Sequence, residues 1–283
     1  MYVFKAAVLG AGTMGAEIAQ VISLSGLPVV LKDVDPAQLE RGMEHIRDIY
    51  ARRVQRGRIS EHDAQDRIAL VTPQLDYQGF SDVDLVIEAV PEKLELKQAV
   101  LGEVEGHVAK TALLATNTSA LPVTEVGAKL HKPQRLVGMH FFFPASVMKL
   151  VEVIAGAQTE DEAVDSAVEF VEGIRRIGVR VRECPGFLVN RILMAGLAEV
   201  FRAEQDLGLG PKEIDAAVAA SRLAPMGPYA LADALGLDIA QDVSETLKAA
   251  YGERFDLGTR ITALIAEGKR GAKTGAGFYT YTG

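Results

Sequence analysis

The sequence predicts a doubly wound α/β sheet followed by an all-helical C-terminal domain, and three observations carry that prediction. Up to residue 183, short apolar strand-like runs alternate with helix-like segments, the pattern of a sheet covered by helices on both faces. A glycine-rich turn, Gly10-Ala11-Gly12-Thr13-Met14-Gly15, separates the first such strand from the first helix. After Cys184-Pro185-Gly186, apolar residues recur at helical spacing only. The chain accordingly reads as two domains, 1–183 and 184–283.

The elements follow in order. Lys5–Leu9 is a short apolar strand, and a helix runs from the glycine turn to about Ser25. Pro28–Leu31 is a second strand, ending at Asp33. Asp35-Pro36 opens a long helix, with Asp35 as N-cap and proline in the first turn, where its missing N–H costs little. Ser60 starts another helix after Gly57. Val83–Ala89 is a continuous apolar strand, as expected where both faces of a parallel sheet are covered. A helix from about Glu92 leads to the strand Ala112–Thr116, and Pro122–Leu130 returns as a helix. Leu136–His140 and Leu150–Ile154 are further strands, and the helix Asp161–Ile174 and strand Val179–Val181 complete this half. In the second half, helices are expected over 187–204, 211–220, 228–235, 238–250 and 257–267, punctuated by glycine and proline.

Composition narrows the function classes. In 283 residues, 48% apolar and 24% charged, no apolar run approaches the ~18 residues of a membrane span. The N-terminus enters a strand at once, so no secretory signal is expected, and a reducing cytoplasm is the simplest address. A single cysteine, Cys184, excludes a disulfide framework and a cysteine-based zinc cluster. His45, His62, His107 and His131 have no metal-ligand spacing, so no metal is expected. A net charge of −8 argues against nucleic acid as a partner. Locally, six arginines between Arg41 and Arg58 outnumber Glu44 and Asp48 by four charges. That run fits either a solvated helix face or contacts to the phosphates of a charged substrate.

Two motifs carry chemistry. The Gly10, Gly12, Gly15 turn follows a strand, opens a helix and has Asp33 eighteen residues beyond it, at the end of the next strand. Gly10 permits the tight turn, Gly12 admits a pyrophosphate to the backbone, and Gly15 brings helix and strand together. With Thr13 and Met14 they form a Rossmann-type dinucleotide site. Asp33 would bond a ribose 2′-hydroxyl and repel a 2′-phosphate, favouring NAD over NADP, with Lys32 weakening the preference slightly. Glu88-Ala89-Val90-Pro91-Glu92 and Asn117-Thr118-Ser119 follow two later strands, at the ends where open α/β sheets bind ligands. The second motif is His140 with Glu152, twelve positions on, enough for a turn and a return strand that sets them side by side. A carboxylate bonded to one imidazole nitrogen fixes the tautomer and lets the other move a proton.

Together with Pro185-Gly186-Phe187-Leu188-Val189-Asn190-Arg191, Pro225-Met226-Gly227-Pro228 and Lys273-Thr274-Gly275-Ala276-Gly277-Phe278-Tyr279, these motifs resemble the 3-hydroxyacyl-CoA dehydrogenase family over nearly the whole chain. The likeness is strongest to the stand-alone bacterial 3-hydroxybutyryl-CoA dehydrogenases. The resemblance implies NAD-dependent, reversible oxidation of an L-3-hydroxyacyl-CoA, in fatty-acid oxidation or a butanoate pathway. By resemblance, His140 is the acid/base and Glu152 its orienting acid, while Ser119 and Asn190 bond the substrate oxygen or the histidine. Glu92, Lys97, Asn117 and Lys273 match cofactor contacts, beside Ala89. Arg52 and Arg56 are candidate coenzyme A contacts, and the helical domain is the expected homodimer interface.

One residue departs from the family pattern: Phe143 stands where an asparagine usually follows His-Phe-Phe. Loss of an ordering amide and a change in the acyl groove are both open readings. Two rival functions are a dehydrogenase of a free 3-hydroxy acid or sugar acid, and a non-catalytic NAD-binding protein. The arginine run argues against the first, and the joint presence of Ser119, His140, Glu152 and Asn190 against the second.

Overall fold

The computed structural model describes residues 2–222 and 224–281, with the side chain of Gln205 excepted. The chain divides between Cys184 and Pro185 into two compact units.

In the first unit, eight strands form one sheet. They are β1 (Ala6–Leu9), β2 (Val29–Lys32), β3 (Val71–Gln74), β4 (Leu85–Glu88), β5 (Leu113–Thr116), β6 (Leu136–Phe141), β7 (Leu150–Ala155) and β8 (Ile177–Arg182). Their order is β3-β2-β1-β4-β5-β6-β7-β8. The first six strands are parallel in the doubly wound order, β7 runs antiparallel to β6, and β8 runs parallel to β7. β3 was missing from the sequence-based reading. It is an edge strand of which only Val71 is buried, and Pro73 interrupts its donor pattern.

The helices of this unit are α1 (Thr13–Ser25), α2 (Pro36–Gln55), α3 (Glu61–Ala69), α4 (Leu94–Glu105), α5 (Val123–Val126) and α6 (Asp161–Gly173). Two of them start on side-chain caps. Asp35 accepts from Ala37 N at 2.9 Å and Ser60 Oγ from Asp63 N at 3.0 Å, each satisfying a donor that the first turn leaves unpaired. The segment expected as one helix over Pro122–Leu130 is a single turn, α5, continued as a 3₁₀ turn through Lys129.

Register places the functional edge. Leu9, Glu88 and Thr116 end their strands side by side, and Thr116 pairs with Gly138. β6 therefore continues past its neighbour, carrying His140 and Phe141 out at the carboxyl edge, and antiparallel β7 brings Glu152 opposite His140.

The second unit is helical: α7 (Val189–Leu207), α8 (Pro211–Ser221), α9 (Pro228–Leu235), α10 (Leu237–Tyr251) and α11 (Thr259–Ala266). Its core gathers Leu197 and Phe201 from α7, Tyr229 from α9, Leu247 from α10 and Ile261 from α11. The chain end is fastened by Asp233, whose carboxylate accepts from Phe278 N and Tyr279 N, both at 2.9 Å, and from the Tyr281 hydroxyl at 3.0 Å. Among the described residues no helix is long and apolar enough to cross a membrane.

Candidate active site

The glycine turn opens onto a cavity of about 680 Å³, lined by Gly10, Gly12, Thr13, Met14, Asp33 and Ala89 among others. Gly10 has φ +98°, and a Cβ there would lie 2.8 Å from the Ala89 carbonyl oxygen. A Cβ on Gly15 would come within 1.8 Å of the Gly10 carbonyl oxygen, so β1 and α1 meet this closely only because Gly15 has no side chain. At Gly12 the space is open, and this N-cap glycine leaves the first-turn amides of α1 without a side-chain acceptor. An uncapped helix start facing a cleft suits an anion.

Asp33 is held in place by its own neighbours: Oδ2 accepts from Ala11 N at 2.7 Å and Oδ1 from Asp35 N at 3.0 Å. Lys32 is buried, its ammonium 4.3 Å from the centre of the Tyr77 ring. Lys32 and Tyr77 line the same cleft as Asp33, with the ammonium over the ring face. Tyr77 also stacks on His107 at 4.4 Å, and burial together with Glu103 pushes its phenol up. The turn, the uncapped helix and the anchored acid fit a dinucleotide whose ribose carries no 2′-phosphate.

His140 Nδ1 lies 2.7 Å from Glu152 Oε2, with the imidazole 6% exposed and the carboxylate 0%. The Phe142 ring leans against the imidazole, centroids 4.5 Å apart. Asn117 ties the adjacent strand end to this one, its Oδ1 accepting from Phe141 N at 2.9 Å. Ser119 is exposed on the loop that follows β5.

Residues 5–184 match the model of the 3-hydroxyacyl-CoA dehydrogenase NAD binding domain, and residues 186–281 match that family's C-terminal domain. The chain belongs to the 3-hydroxyacyl-CoA dehydrogenase family. It is 37% identical over 278 residues to a fatty acid oxidation complex subunit alpha from Idiomarina loihiensis, covering 98% of this chain and 39% of that protein. This chain thus spans well under half the length of that curated relative. Its structure is similar to FadB2 of M. tuberculosis, with TM-score 0.95, 32% identity and full coverage of both chains. It is also similar to (S)-3-hydroxybutyryl-CoA dehydrogenase PaaH1 from Ralstonia eutropha, with TM-score 0.94, 32% identity and full coverage of both chains.

Several residues matched to the family's cofactor contacts have protein partners. Lys97 is 1% exposed, and its Nζ lies 2.8 Å from Glu88 Oε1, 3.1 Å from Glu92 Oε2 and 3.2 Å from the Val90 carbonyl. It ties the end of β4 to the loop that follows it. Glu92 in turn accepts from the Thr118 hydroxyl, from Ser119 N at 2.9 Å and from Ala120 N at 3.2 Å. Burial raises its carboxyl, but Lys97 and these donors outweigh that and leave it below the usual range. Lys273 is in the second unit, where its Nζ meets both Asp238 oxygens at 2.6 and 2.8 Å. Asn190, in the first turn of α7, belongs to that unit as well.

Arg52 and Arg56 are exposed at the end of α2, where positive charge also complements the helix terminus. Phe141 is core, while Phe143 is 62% exposed. Sequence reasoning missed the anchoring role of Glu88 and Thr116. Glu88 accepts from Lys97, from Val90 N at 2.7 Å and from the Thr116 hydroxyl at 2.7 Å, closing the ends of β4 and β5 together. A charged residue ending an apolar run was the available signal.

Proposed function

We propose that this chain is an NAD-dependent L-3-hydroxyacyl-CoA dehydrogenase that accepts short acyl chains, 3-hydroxybutyryl-CoA among them. The observation that carries the reading is the buried His140–Glu152 pair on the sheet edge that also bears the glycine turn. Family membership and the likeness to a (S)-3-hydroxybutyryl-CoA dehydrogenase support the substrate class.

With Nδ1–H donated to Glu152, the lone pair of the imidazole is on Nε2. His140 Nε2 then takes the proton of the substrate 3-hydroxyl as C3 gives up its hydride. Bound NAD supplies the hydride acceptor. Glu152 stabilises the imidazolium that forms, and burial of the pair strengthens that attraction by lowering the local dielectric. In the reverse direction, the imidazolium returns the proton to the 3-keto oxygen. Ser119 and Asn190 are the proposed hydroxyl and amide donors toward that oxygen, an electrostatic role. Glu92, Lys97, Asn117, Ala89 and Lys273 are the proposed cofactor contacts, and Arg52 and Arg56 the proposed coenzyme A contacts. The chain is proposed to work as a cytoplasmic homodimer joined through its helical unit, a state that light scattering of the purified protein checks.

The test is NADH oxidation at 340 nm with acetoacetyl-CoA, run beside NADPH and beside free acetoacetate. Turnover with NADH and the thioester alone is expected. Turnover of free acetoacetate at the same rate would overturn the acyl-CoA assignment, and equal use of NADPH would overturn the cofactor choice.

A further inference from the structure

The loop joining β6 to β7 is gripped at one peptide by two opposite charges. Glu17 lies on the second turn of α1 with its side chain 4% exposed. Its Oε2 accepts from Ser146 N at 2.6 Å, and its Oε1 lies 3.2 Å from His45 Nε2. The carbonyl of Ala145 accepts from Arg176 Nη2 at 3.0 Å. Ala145 C=O and Ser146 N–H are the two polar ends of a single peptide unit. A carboxylate holds its donor and a guanidinium holds its acceptor. Turning that peptide over would aim its carbonyl at the carboxylate and its N–H at the guanidinium, so its orientation is strongly specified.

The position of this grip matters. Phe141 and Val151 are the last ladder pair, one step beyond His140 and Glu152. The connection of eight residues is too long for turn type to set the hairpin register. Inside it, Val147 N and Met148 N donate to the Pro144 carbonyl at 2.9 and 2.8 Å, and Ala145 is fully buried. A buried glutamate is costly on a helix whose neighbouring positions, Ala16, Ile18 and Ala19, pack as apolar core. The glycine turn of the nucleotide site makes no use of it. Burial and nearby Arg53 lower the pKa of the Arg176 guanidinium, with Glu17 opposing that shift.

We infer that Glu17 and Arg176 are positioning residues for the His140–Glu152 pair: by clamping the Ala145–Ser146 peptide they hold the two strand ends in register. The inference rests on the dehydrogenase reading above.

Hydrogen exchange over residues 142–149 is measured beside NADH-dependent acetoacetyl-CoA reduction for the wild type, Glu17→Ala, Glu17→Gln and Arg176→Ala. Glu17→Ala is expected to speed Ser146 amide exchange about 10-fold or more and to lower kcat about 10- to 100-fold, as misplaced catalytic groups do. Its KM for NADH should stay within about twofold, because the nucleotide turn is untouched. Glu17→Gln keeps an oxygen for Ser146 N and should recover kcat to within about threefold. Arg176→Ala should act in the same sense, and it carries the test alone if Glu17→Ala does not fold. Unchanged kcat and exchange would overturn the inference, as would a rise in KM for NADH that Glu17→Gln does not reverse. A wild-type protein inactive on acetoacetyl-CoA would instead sink the dehydrogenase reading and the catalytic half of this one, while exchange at Ser146 still decides the clamp.

Discussion

Glu152 in the first unit and Asp233 in the second are buried to the same degree, at 0% and 1% exposure, yet they hold different things. Asp233 accepts from two backbone amides and a phenol, fastening the chain end. Amides do not titrate, and burial with Asp233 pushes the Tyr281 phenol up to about 12. Glu152 meets an imidazole, the side chain that exchanges protons near neutral pH. Burial of an acid therefore marks a site only when its partner can change protonation state. A third buried acid shows another arrangement. Glu88 is matched to a buried cation, Lys97, whereas the donors named for Asp233 are neutral.

That difference sets an order of expected effects. Lys97→Met leaves Glu88 buried without its counter-charge and should cost about 3–5 kcal/mol of stability, read from urea unfolding followed by circular dichroism. Asp233→Asn keeps the shape and one acceptor, so it should cost about 2 kcal/mol in the same experiment. If the second loss equals or exceeds the first, the contrast between charged and neutral anchoring is broken.

A sharper comparison lies within the first unit. Asp33→Ser should shift the ratio of kcat/KM for NADH over NADPH about tenfold toward NADPH, equivalent to about 1.4 kcal/mol. An unchanged ratio would remove Asp33 from cofactor choice. The smallest effect is expected at Glu105, which accepts from His131 N at 2.8 Å and Lys132 N at 2.9 Å and lies 3.4 Å from Arg135. Burial raises its carboxyl, but these donors more than compensate and hold it below the usual range. A depressed folded value means the stabilisation is complete above the unfolded value of about 4.3 and lost as pH falls through the folded one. Glu105→Gln should thus cost about 1 kcal/mol at neutral pH, and the gap should close in acid. Equal urea midpoint differences at pH 7 and at pH 3 would show that charge plays no part there.

Most of the parallel sheet was legible because its strands are continuous apolar runs set between helix caps, as at Asp35 and Ser60. β3 escaped because an edge strand of four residues with one buried side chain has no apolar pattern to read. His140 and Glu152 were legible as neighbours because a single antiparallel return relates them, and side-chain alternation then puts both on one face. The partners of Lys97 and Lys273 were not, since any of several nearby acids satisfies a lysine equally well on paper. Glu17 was the least accessible. Its contact with Ser146 spans 129 positions, and nothing local to α1 announces it.

The most direct test of the central claim is acetoacetyl-CoA reduction by His140→Gln compared with the wild type, with NADH affinity measured on both. Turnover should fall by ~10² or more while the Kd for NADH is unchanged, because glutamine fills the space and cannot shuttle the proton. Wild-type turnover in His140→Gln would contradict the account and take the His140–Glu152 pair out of the mechanism.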